Sequence, residues 1–514
     1  MQKSGVNITE KLTTGGPQLT GGFPLILVGQ SERGPDGLSE PLSRLDEFES
    51  TYGRVPVAGS YVNDAVYLYT SQEDSNTQPG NFYYVRVTPS GYVLAESTVK
   101  ALVSGGAVGT TDALRFRATG KGKWGAKVRT VLTPSTAGDS GRVNVTIKLY
   151  DAETGGNVVA TEEYENLYFR PGNRQNPKFI ENVINATSKL ARVTVLADAQ
   201  HGLDLAAGAE RPLINATADS GTVTRDDIKA ALDLALPKIK GVGFLYVPDA
   251  YNVPDTSGAN PTFGAVVQDL ELLGAVHGKL VVLDALESDT LTQGTTKVTA
   301  LAGRKAAMVN VRWGYSAYRQ SVAVPLSAAW IGLYSARANN PSMGLHYPAS
   351  NLPLRGVVGL KALPNLKLDE ARAANVNVFV DLDGGGYGLH GLWTPDKDAD
   401  GFRQVTRRLI WWDIQLAVRT AVSGMIQNNP INPYTLKLID QRVIVLLKSR
   451  ATRGMLVGRG GSAASRGNGY DFVFDTSNQV ELNKGNLAAV LTVRDSATLE
   501  ELQVTMSNYN DYLD

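Results

Sequence analysis

The sequence contains no cysteine among its 514 residues. This absence excludes disulfide bonds, thiolate nucleophiles and cysteine-ligated zinc. The sequence also lacks an excess of either charge, because 50 lysine and arginine residues balance 50 aspartate and glutamate residues. Proteins that bind nucleic acid usually carry a basic excess, so nucleic acid is not an expected partner. A neutral chain suits association between identical copies, which then repel one another little.

Long hydrophobic runs are also missing. The opening residues MQKSGVNITEKL contain none of the apolar core that a signal peptide requires. The longest uncharged stretch near the middle, residues 320–336, includes Pro325 and several polar residues. It is too short to span a bilayer, and we interpret it as a buried helix. We therefore expect a soluble chain with no direct membrane insertion.

Catalytic motifs are few, and their contexts are unfavourable. Two GxGxxG strings occur, at residues 120–125 and 386–391. A phosphate-binding loop of this type needs the N-terminus of a helix directly after it. The first string lies between two strand-like segments, and Pro395 with a polar stretch delays the helix after the second to about residue 402. Both are interpreted as structural loops.

Other catalytic signatures are equally weak. The string GDSG at residues 138–141 resembles the nucleophile string of serine proteases, but no histidine lies in a recognisable partner motif. The sequence contains no GxxxxGK[ST] string and no HExxH string. We therefore expect no catalytic residue, no cofactor and no metal. An α/β enzyme with a glycine-rich site near Gly384–Gly391 is kept as the alternative.

The order of patterns along the chain predicts a discontinuous core. Val6, Ile8 and Leu12 alternate with polar residues in a short strand pattern, and the glycine-rich segment TTGGPQLTGG follows it. This predicts an N-terminal arm and linker over residues 1–22, held away from the body by a flexible tether. Residues 105–205 are mostly strand-like with glycine-bearing turns, which predicts an inserted β-rich domain between core segments 23–104 and 206–514.

The segment after the predicted insert alternates between helix and strand. Thr224 and Asp227 form a capping-box pattern in front of a helix. The strand-like segments VGFLYV, KLVVLD and AAMVNV follow, with helical patterns between them. Such alternation predicts a largely parallel sheet covered by helices. The expected fold class is therefore α/β, or α+β overall, with a helix-covered mixed sheet and terminal strand arms.

A C-terminal subdomain is predicted over about residues 390–514. Its longest helix is expected at about residues 402–426, with Val405, Leu409, Trp412 and Leu416 on one face. A second helix is expected at about residues 434–450, and closing strands form a C-terminal arm over about residues 487–507. A basic strip near the start of the first helix supplies candidate lattice charge contacts: Arg403, Arg407 and Arg408.

These features occur in the order found in contractile tail sheath proteins. SGVNITE resembles the PGVYVxE-type opening strand of that family, and RATGKGKWGAKVRTVL resembles its GxWGN-type strand pair. LPLRGVVGL is similar to its N-x-P-L-x-G-V segment, and FRQVTRRLIWWD to its N-V-R-R-L helix. The resemblance covers nearly the whole chain. Departures are Ser4 in place of proline, Ala126 in place of asparagine, and GLWTP at residues 391–395 in place of a W-G-A-R-T-like string.

The resemblance implies a structural protein and not an enzyme. Sheath subunits of this family stack as hexameric rings around an inner tube and contract to drive that tube through a cell envelope, as in phage genome ejection. The implied partners are further copies of the chain, the inner tail tube protein, and baseplate and tail terminator proteins. The implied location is a virion tail assembled in a bacterial cytoplasm, and the sheath of a bacteriocin or other injection system is the alternative.

The terminal strands of sheath proteins complete the sheets of neighbouring subunits. By resemblance, the alternating residues near both ends of this chain are the expected subunit-interface residues. They are Val6, Ile8, Leu12, Leu487, Leu491, Val493, Leu502 and Val504.

Overall fold

The computed structural model describes residues 23–72, 78–137, 141–205, 208–215, 221–248, 250–254, 265–340, 343–397, 402–425, 430–457, 469–475, 477 and 487–495. Its helices, in chain order, are α1 (Leu45–Tyr52), α2 (Val62–Thr70), α3 (Ile180–Thr187), α4 (Arg225–Ala235), α5 (Ala265–His277), α6 (Leu291–Ala300), α7 (Ser327–Asn339), α8 (Leu368–Ala374), α9 (Val405–Ser423) and α10 (Pro433–Thr452).

The strands of the same residues are, in chain order, β1 (Leu25–Gly29), β2 (Gly37–Leu38), β3 (Phe82–Arg86), β4 (Ala95–Leu102), β5 (Val108–Ala118), β6 (Val128–Pro134), β7 (Arg142–Tyr150), β8 (Val158–Tyr168), β9 (Ala191–Val195), β10 (Arg211–Pro212), β11 (Ile214–Asn215), β12 (Gly243–Tyr246), β13 (Lys279–Asp284), β14 (Ala307–Val311), β15 (Gly314–Ser316), β16 (Ala323–Val324), β17 (Val357–Leu360), β18 (Asn377–Asp381), β19 (Tyr387–His390), β20 (Tyr470–Asp475) and β21 (Ala488–Val493). The fold is mixed α/β, as the sequence predicts.

The largest sheet has eight strands in the order β19-β18-β14-β13-β12-β1-β3-β2. Its six inner strands are parallel, and β19 and β2 pair antiparallel at the two edges. Residues alternate between two cores: Leu25 and Leu27 of β1 face α2, α7 and α9, whereas Ile26 and Val28 face α4, α5 and α6. Burial of both faces explains the continuous apolar runs of these strands.

Two local predictions in this region have different outcomes. The capping box is confirmed, because Thr224 N donates to Asp227 Oδ2 at 2.9 Å and Asp227 N donates to Thr224 Oγ1 at 3.4 Å in front of α4. The buried helix over residues 320–336 is wrong in its first part. Pro325 cannot donate the backbone hydrogen bond of a helix interior, so β16 precedes it and α7 begins only at Ser327.

A β-rich unit forms a third core. Two four-stranded sheets, β10-β6-β7-β8 and β11-β4-β5-β9, bury one cluster of apolar side chains between them. This cluster extends from Ala95 to Leu213, beyond the predicted insert at both ends. The glycine turn at residues 105–106 joins β4 to β5 inside the unit. The composition change there marks a hairpin, and the domain limits themselves stay a prediction.

One loop of the β-rich unit contacts the main sheet. Arg86 at the end of β3 forms an ion pair with Asp36 at 2.5 Å and donates to Lys121 O at 3.0 Å. Lys121 N donates to Asp36 Oδ2 at 3.0 Å. A side chain at Gly120 would clash with the carbonyl oxygen of Gly34. The first GxGxxG string therefore connects β5 to β6 and packs closely against the loop between β1 and β2, so the prediction of a structural loop is confirmed.

Candidate subunit interface in the C-terminal hairpin

Helices α9 and α10 form the base of the C-terminal region. Val405, Leu409 and Trp412 are buried on one face of α9, as predicted, and Leu416 is partly buried against the same core. The helix α10 begins with Pro433 at its first position, where a missing amide costs nothing. Together the two helices extend the larger core beyond the eight-stranded sheet and provide a surface for the strands that follow.

Strands β20 and β21 pack on this base as an antiparallel hairpin. Six residue pairs hold the register, from Tyr470 opposite Val493 to Asp475 opposite Ala488. The inward side chains pack against the larger core, and they are Tyr470, Phe472, Leu491 and Val493. The outward face carries Val473 and Val490, which lie opposite each other and are 53% and 59% exposed. The hairpin therefore has one face on its own core and one apolar pair in solvent.

In the part of the chain that the structure describes, neither β20 nor β21 pairs with a further strand along its outer edge. Leu456 and Val457 pair only with residues 494–495, just beyond β21. The outer edge of a strand presents a row of backbone N–H and C=O groups that another strand can pair with. A two-stranded hairpin is marginally stable alone, and additional strands stabilise it. The outer edges of β20 and β21 therefore have backbone groups that are not paired with a further strand of the described chain.

An ion pair fixes the far end of the hairpin. Arg407, in the first turn of α9, donates from Nε to Asp495 Oδ2 at 2.7 Å and from Nη2 to Asp495 Oδ1 at 3.1 Å. Both side chains are mostly buried, with 27% and 14% exposure. Asp495 also forms a bridge with Leu456, just beyond α10. The contacts of Asp495 connect the end of β21 with both helices.

The three arginines of the predicted basic strip contact other residues of the same chain. Arg403 donates to Asn375 Oδ1 at 3.0 Å and to Arg372 O at 3.2 Å. Arg408 is 4% exposed, and its guanidinium lies 4.3 Å from the ring centre of Trp412. The charge of Arg408 is therefore buried against aromatic rings within its own chain, and its lattice role stays a prediction. For Arg403 and Arg407 a lattice role likewise stays a prediction.

The predicted interface residues fall into two groups. Leu487 lies half-buried directly before β21, and Leu491 and Val493 lie within that strand. The remaining predicted residues lie outside the described part of the chain, and they are Val6, Ile8, Leu12, Leu502 and Val504. The prediction did not include Val473, although alternation in YDFVFD places this valine among the outward aspartates.

The second glycine-rich string forms a β-hairpin. Leu382 N donates to Gly386 O at 3.0 Å and Gly385 N to Leu382 O at 2.9 Å, which closes the turn between β18 and β19. The next helix, α9, begins only at Val405. These glycines therefore build a turn and not the helix-terminal loop that a bound phosphate requires.

Other types of site were sought in the same residues. Over the described ranges, histidine, aspartate and glutamate side chains form no group of three or more suited to holding a metal ion. Within the same ranges, every helix is either too short or too polar to cross a membrane.

Sequence comparison alone gives no relative, because no family model and no curated protein matches the chain. Solved structures do match over almost its full length. The contracted helical sheath of the anti-feeding prophage covers 99% of this chain and 100% of that chain, at 13% identity and a TM-score of 0.53. A sheath tail protein from Desulfitobacterium hafniense covers 92% of this chain and 93% of that chain, at 12% identity and a TM-score of 0.51.

A chain of the contracted baseplate of the anti-feeding prophage matches all of this chain and all of that chain, at 12% identity and a TM-score of 0.51. Identities this low establish a shared fold and leave function to be argued separately. The chain has the fold of the sheath proteins of contractile injection systems.

Proposed function

We propose that the chain is a structural sheath subunit. It polymerises as hexameric rings around an inner tube and contracts to drive that tube through the envelope of a target cell, in a virion tail that ejects its genome. The observation that carries this proposal is a fold shared along nearly the whole chain with a sheath in its contracted state. The open-edged hairpin β20–β21 fits the same role. The sheath of a bacteriocin or related injection system would use the same fold.

Strand addition supplies the links between subunits in this proposal. The N-terminal arm of one copy, with Val6, Ile8 and Leu12, adds to the open hairpin of a second copy, and a C-terminal arm strand with Leu502 and Val504 adds similarly. Each added backbone hydrogen bond contributes about 1 kcal/mol net. A short arm therefore contributes several kcal/mol per link, and repetition over a lattice multiplies the effect.

Contraction then needs two lattice packings of different free energy. Main-chain pairing in the arms holds neighbouring copies together, and the glycine-rich linker within residues 1–22 allows the bodies to rotate. The proposed partners are further copies of the chain, an inner tube protein, and baseplate and terminator proteins. No cofactor, nucleic acid or membrane contact enters the mechanism.

Removal of the N-terminal arm tests the proposal. A chain lacking residues 1–14 should remain folded, because the three cores of the described structure lie outside this segment. It should not form tubes, because each link loses its strand. Ile8→Pro should have the same effect by removing an amide donor, whereas the matched control Ile8→Val should assemble normally. Circular dichroism reports the fold and negative-stain electron microscopy reports the tubes. Normal tubes from the shortened chain would refute the arm mechanism.

A further inference from the structure

One outward face of the β-rich unit is basic. In the sheet β11-β4-β5-β9, Leu114 and Phe116 of β5 point into the core and are fully buried. Strand alternation places Arg115 and Arg117 on the opposite face, where both side chains are partly exposed. Arg192 of β9 lies directly opposite Arg117 in the register. Three guanidinium groups therefore share one face of this sheet.

The charge of this face is only partly compensated. Arg117 forms an ion pair with Glu96 at 2.8 Å, and Arg192 lies on its other side. Arg115 has Thr98 and Thr194 as its cross-strand neighbours. Within the described residues it has no acidic partner, and its Nε is buried without a hydrogen-bond acceptor. Arg192 lies beside the carboxylate of Glu162, so the uncompensated positive charge among these three arginines is that of Arg115, whose Nε is an unsatisfied donor.

An acidic strand lies on the other sheet of the same unit. Strand β8 is the edge of β10-β6-β7-β8, and its outward residues Glu163 and Glu165 are exposed. Neither carboxylate forms an ion pair in the part of the chain that the structure describes. Lys148, a basic residue on the neighbouring strand β7, already forms an ion pair with Glu210 at 2.9 Å. The negative charge of β8 is therefore available to a partner.

The two charged strips match in spacing. Arg115 and Arg117 are two residues apart on one strand, and Glu163 and Glu165 are two residues apart on another. Each pair is thus separated by about 7 Å along its strand. The two sheets pack their inner faces together, so their outward faces point in opposite directions. Arg192 lies beside Glu162 of β8 in the same chain, but Arg115 and Arg117 form no ion pair with Glu163 or Glu165 within the described residues.

We infer that these strips form a contact between copies, in which the arginine face of one β-rich unit binds the glutamate strand β8 of the next copy. Because the contact joins two different patches, it is head-to-tail, and repetition produces a ring or helix instead of a closed dimer. A chain with equal numbers of acidic and basic residues can present both signs to its own copies. This inference rests on the proposed sheath function, and it assigns a lattice contact to the β-rich unit.

The proposed contact should be sensitive to salt. Exposed ion pairs are individually weak and are screened by dissolved ions. At about 0.01 M salt the screening length is roughly 30 Å, and at about 0.15 M it is roughly 8 Å. Self-association of the full chain should therefore weaken as salt rises between these values. Variants that lack the opposite charges of the two strips should not show this salt-dependent association.

Charge reversal tests the inference directly. Variant A carries Arg115→Glu and Arg117→Glu, so both of its strips are acidic, and variant B carries Glu163→Arg and Glu165→Arg, so both of its strips are basic. Each variant alone should need at least about tenfold more protein to associate. An equimolar mixture should assemble as the unmodified chain does, because every A–B contact joins opposite charges. A control with Lys238→Glu and Lys240→Glu matches the charge change of A at another site.

Sedimentation velocity at both salt concentrations measures association, electron microscopy measures tubes, and circular dichroism verifies the fold. In variant A, Arg117→Glu places a second carboxylate beside Glu96, which can prevent folding. If A does not fold, variant B alone tests the inference, because Glu163 and Glu165 are exposed and their replacement leaves the core intact. The inference is overturned if B forms tubes as readily as the unmodified chain at both salt concentrations. In that case the sheath proposal stands. If the unmodified chain forms no polymer under any condition, both proposals fail.

Discussion

Arg407 and Asp495 are 88 residues apart in sequence and form a two-point ion pair, with distances of 2.7 and 3.1 Å. The pair fastens the end of β21 to the first turn of α9, whose own face is buried in the largest core. The C-terminal hairpin is thus attached to the body at this end, and β20 and β21 pair with no further strand within the described residues.

Replacing Arg407 by alanine should loosen the hairpin without unfolding the chain. Charge-assisted bidentate bonds are worth about 1–3 kcal/mol when mostly shielded from water. Hydrogen exchange at Val490–Val493 should therefore be faster, while the main sheet keeps its protection. Arg419→Ala is the matched control, since it removes an arginine from the same helix about 18 Å further along its axis, away from the contact with Asp495. Unchanged exchange in β21 would show that the pair does not anchor the hairpin.

The fold of this region was predictable where local pattern determines it. Val405, Leu409 and Trp412 lie at helical spacing, and apolar alternation identified Leu491 and Val493 as strand residues. The position of Arg408 was not predictable. Its sequence neighbours mark a basic strip, but the ring of Trp412 shields its charge. Whether an arginine side chain is exposed depends on tertiary contacts, and the spacing of residues in the sequence does not show these contacts.

The limits of the β-rich unit show the same distinction. Strand-like composition begins near residue 104, but β4 already belongs to the unit's buried cluster from Ala95 onward. The pairing of β4 with β5 is a tertiary contact. Alternation of apolar and polar residues predicts a strand, but it does not show which sheet that strand joins. The open edges of β20 and β21 are likewise visible only once the sheet order is known.

The exposed valine pair of the hairpin should matter for assembly and not for folding. Val473 and Val490 lie opposite each other, 53% and 59% exposed, on the face that points away from the core. Val490→Lys should therefore change the free energy of unfolding by less than about 0.5 kcal/mol. It should reduce tube formation if a neighbouring copy covers this face. Val445→Lys, on the exposed face of α10 at 69%, serves as the control, and electron microscopy with urea unfolding separates the two effects.

A glycine in α7 should be required for helix packing. A methyl group at Gly332 would lie 2.5 Å from the carbonyl oxygen of Tyr69 at the contact with α2. Gly332→Ala should therefore destabilise the chain by about 1–3 kcal/mol through overpacking, which exceeds the smaller gain in helix propensity. Gly384→Ala is the control, because no heavy atom lies within 4 Å of its added methyl group. Equal melting temperatures for the two variants would contradict this packing argument.

Lys279 should make stability depend on pH. This lysine is fully buried in β13 and donates a hydrogen bond to Gly241 O. Burial lowers its pKa from 10.5 to about 7. Because the folded state has the lower pKa, the unfolded chain binds more protons between about pH 7 and 10.5, and stability therefore rises with pH across that window. Below pH 7 both states are protonated and the full cost of the buried charge is present.

Replacing Lys279 by methionine should remove this dependence. Lys279→Met should stabilise the chain near neutral pH by an amount on the order of a few kcal/mol. This advantage should shrink as pH rises through the window and become constant above about 10.5, where the lysine is neutral in both states. Urea unfolding at several pH values measures the difference, and Lys238→Met, at an exposed lysine, is the control. A difference between the lysine and methionine chains that does not vary with pH would show that Lys279 keeps its ordinary pKa in the folded chain.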